Sequence, residues 1–188
     1  MKYDYLLKKC DLCRRHCGVN RLNGELGICT ANDNLIVARA ELHLWEEPPI
    51  SCENGSGTVF FSHCNLKCVF CQNHEISQEY KGAEITINRL SDIFLELQNK
   101  GANNINLVTP THYVPQIIEA IEIAKYKGLK LPILYNTNGY DTLETIKLLD
   151  GYIDVYLPDF KYFDDKYSIK YSKAKDYSSE IIPILKEM

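Results

Sequence analysis

Long apolar runs are missing from this chain. Apolar runs such as Val59-Phe60-Phe61 fall far below the roughly 18 residues that a membrane-spanning helix needs. The first residues, Met1-Lys2-Tyr3-Asp4-Tyr5, hold no apolar core of a secretory signal. No stripe of lysine and arginine marks a nucleic-acid footprint, and no basic amphipathic helix marks a lipid-surface contact. No low-complexity segment and no internal repeat interrupts the chain. These absences predict a soluble, cytosolic protein with no nucleic-acid or membrane partner. Cysteine is missing from the last 117 residues, yet all eight cysteines crowd between Cys10 and Cys71. In a reducing compartment, crowded thiols point to metal rather than to disulfides.

What is present is an ordinary globular composition. The 188 residues are 45% apolar and 24% charged, with a formal charge of −4. That length supports one domain, or one domain with a small appendage, and buries a core without staples. Residues 1–57 read as a cysteine-rich, metal-binding, loop-rich element with one strand or hairpin around Leu35-Ile36-Val37-Ala38-Arg39-Ala40. Gly55-Ser56-Gly57 closes it. Residues 58–188 read as a second unit in which strands and helices alternate.

In that unit Thr58-Val59-Phe60-Phe61 is a strand. Leu90, Ile93, Phe94 and Leu97 make one helical face, stopped at Gly101. Ile105–Val108 is the next strand. Val114, Ile117, Ile118 and Ile121 make a second helical face that ends at Gly128. Pro132–Tyr135 is a third strand. Asp141-Thr142-Leu143-Glu144 has the capping-box pattern and opens a helix that stops at Gly151. Tyr152–Leu157 is a fourth strand. The remainder from Phe163 is helical, at least from Ser179.

Such alternation predicts an α/β protein with a parallel sheet, either a (β/α) barrel or a doubly wound sheet. The 131 residues from Thr58 onward hold about four βα units at roughly 31 residues each. Four units do not close a barrel. The expectation is a partial barrel, truncated at its C-terminal end inside a helix without a stop signal.

The chemistry concentrates in Cys64-Asn65-Leu66-Lys67-Cys68-Val69-Phe70-Cys71, a C-x3-C-x2-C loop directly after a strand. Three thiolates hold three irons of a 4Fe–4S cluster and leave the fourth iron open to a small molecule. The competing reading is a structural zinc with a fourth ligand at His63, His74 or Cys52. Zinc sites come mostly as C-x2-C pairs, so the 3-and-2 spacing leans toward iron–sulfur. A second set, Cys10-x2-Cys13-x3-Cys17 and then Cys29, offers four thiolates. A closed shell of that kind suits a structural zinc, or an auxiliary cluster with no open iron. Cys52 belongs to neither set.

The loop, with Phe70 as the aromatic residue before its last cysteine, resembles the radical S-adenosylmethionine (SAM) enzymes. Its flanks resemble the branch related to pyruvate formate-lyase activating enzymes, and more narrowly a group of activase-related iron–sulfur proteins. Cys17–Arg21, Val37–Ala40, Trp45–Pro48, Thr109–Tyr113, Tyr135–Tyr140 and Tyr156–Lys161 carry that resemblance. It implies a radical SAM-type barrel in which Cys64, Cys68 and Cys71 bind the cluster. The open iron chelates SAM, and one electron breaks the sulfonium bond to release a 5′-deoxyadenosyl radical. That radical takes hydrogen from a substrate, in the activases a protein glycyl site. A low-potential donor such as flavodoxin or ferredoxin is the implied electron source.

The resemblance also implies cofactor contacts at strand ends. They are Phe70; Thr109, Thr111 and His112 where the family has Gly-Gly-Glu; Asn136 and Thr137 where the activases have Asp-Thr; and Asp159 with Lys161, matching their Asp-x-Lys. Structural roles compete with each of these: a helix-cap neighbour for His112, an Asn138-Gly139 turn for the 136–139 segment, and a strand-end ion pair for Asp159 and Lys161. Phe60, Phe61, Val69 and Phe70 are expected to wall the cluster.

Overall fold

The computed structural model describes residues 2–188. A six-stranded sheet in the order β3-β1-β2-β4-β5-β6 organises the chain. Its strands are β1 (Leu35–His43), β2 (Ser56–Phe61), β3 (Ala83–Ile85), β4 (Ile105–Val108), β5 (Ile133–Thr137) and β6 (Val155–Pro158). The helices are α1 (Asp4–Lys8), α2 (Pro48–Ser51), α3 (His74–Ser77), α4 (Ile87–Asn99), α5 (Val114–Tyr126), α6 (Leu143–Leu148), α7 (Asp165–Ser172) and α8 (Tyr177–Glu187). The run β2-β4-β5-β6 is parallel, with four βα units, while β1 pairs antiparallel with both β2 and β3. The strand of the N-terminal segment is thus hydrogen-bonded into the same sheet as the βα units.

Periodicity accounts for the helices. Leu90, Ile93, Phe94 and Leu97 are buried on α4, and the Thr86 hydroxyl accepts from the Arg89 amide to cap its start. On α5, Val114, Ile117, Ile118 and Ile121 are buried, and proline near the first helical position costs no hydrogen bond. These helices pack on one face of the sheet, against Val59, Phe61, Ile105, Leu107 and Ile133. Next to them, α6 and α8 bring Ile146, Leu149 and Ile184 against Tyr135.

Strand register puts the alternate residues on the opposite face. There Thr58, Asn106 and Leu134 stand in one row, and Phe60, Val108 and Asn136 in the next. Helices cover one face and the other bounds a cavity, which is the arrangement of a partial (β/α) barrel rather than of a doubly wound sheet with helices on both faces.

Local differences from expectation have local causes. Thr142, not Asp141, caps α6, accepting from the Thr145 amide, because Asp141 is buried and accepts from the Tyr135 and Thr137 hydroxyls. The fourth strand starts at Val155, since Tyr152 and Ile153 still turn back onto the end of α6. The C-terminal stretch forms two helices, the first capped by the Asp164 side chain. Short β3 has no alternating pattern long enough to see in the sequence.

Candidate active site at the ends of the parallel strands

The loop after β2 is pinned before any cofactor is considered. His63 adopts a left-handed φ of 70°, which turns the chain sharply out of the strand. Its Nδ1 lies 3.2 Å from the Cys29 carbonyl and 3.1 Å from the Thr30 hydroxyl, and its ring stacks on Tyr80 at 4.6 Å. The Lys67 and Val69 amides donate to the Ser172 and Tyr171 carbonyls, fastening the loop to the end of α7.

Each thiol on this loop has a polar neighbour. The Cys64 sulfur accepts from the Leu66 amide at 3.4 Å and lies 3.6 Å from the Asn138 amide nitrogen. The Cys68 sulfur accepts from the Ser172 hydroxyl at 2.8 Å, and Cys71 lies 3.3 Å from the Ser77 hydroxyl. Burial pushes the Cys64 thiol up to about 12 and raises that of Cys68. Such thiols ionise when a metal supplies the opposing charge.

Cys64, Cys68 and Cys71 line one cavity of about 560 Å³ on the side of the sheet away from α4 and α5. Among the described residues, no three His, Cys, Asp or Glu side chains already surround a single ion position. Thiolates of a cubane bind separate irons and need not converge. The three candidates for a fourth protein ligand are engaged elsewhere: His63 as described, His74 facing Glu79 at 3.3 Å, and Cys52 donating to the Pro49 carbonyl. The donor set therefore fits a three-thiolate cluster with one open iron.

Strand ends supply the rest of the cavity. Phe70, Thr109, Asn136, Thr137, Asp159 and Lys161 line it. Thr109 has a φ of 57°, a strained value for a β-branched residue. The Thr137 hydroxyl donates to Asp141, whose carboxyl is raised by burial. Lys161 and Asp159 form an ion pair at 2.5 Å. The Tyr177 hydroxyl accepts from the Lys161 amide and sits 2.8 Å from the Asn138 and Asp159 carbonyls, so α8 ties the ends of β5 and β6 together. Gly139 completes the expected turn with φ of 73°, and a Cβ there would stand 2.6 Å from Ile181 of α8.

Thr111 and His112 lie outside this cavity. Both are buried, Thr111 under the Tyr135 hydroxyl and His112 donating from Nε2 to the Ser62 carbonyl at 2.7 Å. Burial pushes His112 down to about 3, so it is neutral. Val69 does not wall the cluster: it sits on the outer side of the loop at 72% exposure, because its amide is drawn to α7. Phe60 lines the cavity as expected; Phe61 borders it at the end of β2 while its ring packs with Tyr113 on the helix side of the sheet, and Phe70 lines the cavity from a half-exposed position.

Two groups of lining residues escaped the sequence reading. Asn138, read only as a turn residue, donates to the Asn65 side chain at 2.7 Å and so couples β5 to the cysteine loop. Arg39, His43 and Glu46 reach the cavity from β1 and the segment after it. The signal was the alternation of Arg39, Glu41 and His43 with Ala40 and Leu42, which puts the polar residues on one face. No helix among the described residues is long and apolar enough to cross a membrane.

Comparison with known proteins agrees with this geometry. A curated relative, an uncharacterized protein MJ0674 of Methanocaldococcus jannaschii, is 34% identical over 180 residues, which cover 92% of this chain and 51% of the relative. The chain thus spans about half the length of that relative. The family model described as the radical SAM superfamily matches residues 58–188. With the cysteine loop at the end of the first parallel strand and the cavity beside it, the chain belongs to the radical SAM superfamily, whose members cleave SAM at an iron–sulfur cluster.

Proposed function

We propose that Cys64, Cys68 and Cys71 hold a 4Fe–4S cluster and that the cavity beside them binds SAM, as in an activase-like radical SAM enzyme. Held there, the cluster would supply the one-electron reduction of SAM that starts hydrogen abstraction from a substrate. The observation that carries the reading is the three-thiol loop opening on a large cavity with every candidate fourth ligand turned to another partner.

The chain's own residues then have distinct tasks. The Leu66 amide and the Ser172 hydroxyl donate to the Cys64 and Cys68 sulfurs and so would tune the potential of a cluster held there. Phe60 and Phe70 exclude water from the reacting region. Lys161 offers a cation to the SAM carboxylate, Asp159 an acceptor for its amino group, and Thr109, Asn136 and Thr137 offer polar contacts to the amino acid and ribose parts. Thr111 and His112 act at one remove, by supporting the strand ends. A protein segment of the glycyl-radical type is the proposed substrate, supported by half-exposed Phe70 at the cavity and by exposed Trp45 next to the lining residue Glu46. A flavodoxin- or ferredoxin-like donor supplies the electron.

The test is anaerobic reconstitution of the chain and of a Cys64→Ala/Cys68→Ala/Cys71→Ala variant. Iron, sulfide and 5′-deoxyadenosine made from SAM under reduction are measured in each. Iron and sulfide that depend on the three cysteines, together with nucleoside release, are expected. A colourless chain that releases no nucleoside overturns the reading.

A further inference from the structure

The four remaining clustered thiols also meet in space. Cys10, Cys13, Cys17 and Cys29 line one void of about 10 Å³ together with Arg15 and Arg21. None of the eight cysteines is in a disulfide. The void is the size of one small sphere, enough for a single water or ion and too small for a cubane. Backbone N–H groups already point at three of the sulfurs: Arg15 to Cys13, Ile28 to Cys17 at 3.4 Å, and Ala31 to Cys29. Gly27 packs so closely that a Cβ would stand 2.8 Å from the Cys17 sulfur. Hydrogen bonds of this kind stabilise thiolates, and four thiolates close the tetrahedral shell of zinc with no open position. The fully buried Arg21, with Nη1 4.0 Å from the Cys10 sulfur, offsets the anionic charge such a site carries.

We propose that Cys10, Cys13, Cys17 and Cys29 bind one zinc ion, which locks the N-terminal element onto the loop bearing Cys64. The sulfurs line the void without yet surrounding one point, so the ion draws them inward as it binds, the usual coupling of metal to folding. The connections to the loop are direct. Arg21 donates to the His112 carbonyl at 2.6 Å, and the His112 ring donates to the Ser62 carbonyl. The Cys29 carbonyl lies within hydrogen-bond distance of His63 Nδ1. Arg15 donates to the Asn65 carbonyl at 2.8 Å. Residues on both sides of Cys64 are therefore held from the four-thiol element. Zinc binding stands on these four residues alone; the positioning role rests on the cluster reading above.

Zinc, iron and sulfide are measured per chain after anaerobic purification of three proteins: wild type, Cys13→Ser/Cys29→Ser, and Cys64→Ala/Cys68→Ala/Cys71→Ala. One zinc per chain is expected in wild type and in the triple variant, with at least tenfold less in Cys13→Ser/Cys29→Ser. Stripping zinc from wild type with a chelator is expected to lower the iron retained. Should the double variant fail to fold, cobalt(II) added to the zinc-stripped triple variant gives the visible spectrum of a tetrahedral tetrathiolate. Iron and sulfide in the triple variant, zinc that survives Cys13→Ser/Cys29→Ser, or a cobalt spectrum lacking thiolate bands overturns the zinc site. Iron retention untouched by zinc removal overturns the positioning role. Zinc without iron in wild type sinks the cluster reading and leaves this site standing.

Discussion

Arg15 donates from Nε to the main-chain carbonyl of Asn65, 2.8 Å away and 50 residues along the chain. One guanidinium thus grips the loop between Cys64 and Cys68 from the N-terminal element. It also donates to the Ser172 carbonyl at 3.2 Å and to that of Lys173, and it lies over the Tyr140 ring at 5.2 Å.

Arg15→Ala leaves three carbonyls without this donor. The expected cost is about 2 kcal/mol, the scale of losing charged hydrogen bonds in a partly buried setting. Arg15→Lys recovers less than half, because an ammonium cannot span carbonyls on two separate segments. Urea denaturation of the three proteins checks the ranking.

Ser172 stands between Tyr162, 2.5 Å away, and the Cys68 sulfur. Ser172→Ala removes the donor to the sulfur of Cys68, a proposed cluster ligand. A sulfur that loses a hydrogen bond concentrates its negative charge, so the reduction potential of the bound cluster should fall. Redox titration followed by electron paramagnetic resonance reads this, and an unchanged or higher potential contradicts it.

Thr109 holds a left-handed backbone at the end of β4, and its amide donates to the Asn136 carbonyl. Glycine adopts that conformation without steric penalty. Thr109→Gly should therefore stabilise the fold by on the order of 1 kcal/mol, even as it removes a hydroxyl from the cavity. A higher melting temperature paired with a weaker KM for SAM is the expected signature.

His112 is neutral in the fold because burial pushes it down to about 3. Arg21, His63 and Lys67 around it act in the same direction. An unfolded histidine takes up a proton near pH 6.5, which the folded one refuses. Stability is therefore full above that pH and falls as pH drops, by roughly 1.4 kcal/mol per unit once well below it. His112→Gln keeps an amide donor near the Ser62 carbonyl and does not titrate. Denaturation between pH 7.5 and 5 should show a shallower acid-side loss in the variant than in wild type.

The C-x3-C-x2-C loop, the two amphipathic faces of α4 and α5 and the βα alternation were all readable along the chain. Each is a pattern of near neighbours, fixed by helix and strand periods or by loop spacing. The capping residue of α6 was misread by one position, since Asp141 has the right chemistry for a cap and is drawn inward by Tyr135 and Thr137 instead. The polar face of β1 was also written in the sequence, yet its use was not, because alternation marks a face without saying which sheet edge the strand joins.

The sequence by itself determined where the clustered thiols lie along the chain and which segments alternate between strand and helix, because residue spacing and hydrophobic period are properties of contiguous residues. Only the tertiary structure decided that Asn138 reaches the Cys64 sulfur, that His112 turns away from the cavity, that Arg39 and His43 turn into it, and that four scattered thiols share one void. Those contacts join residues tens of positions apart, and they are set by strand order and by the crossovers that fold the sheet, which no local pattern records.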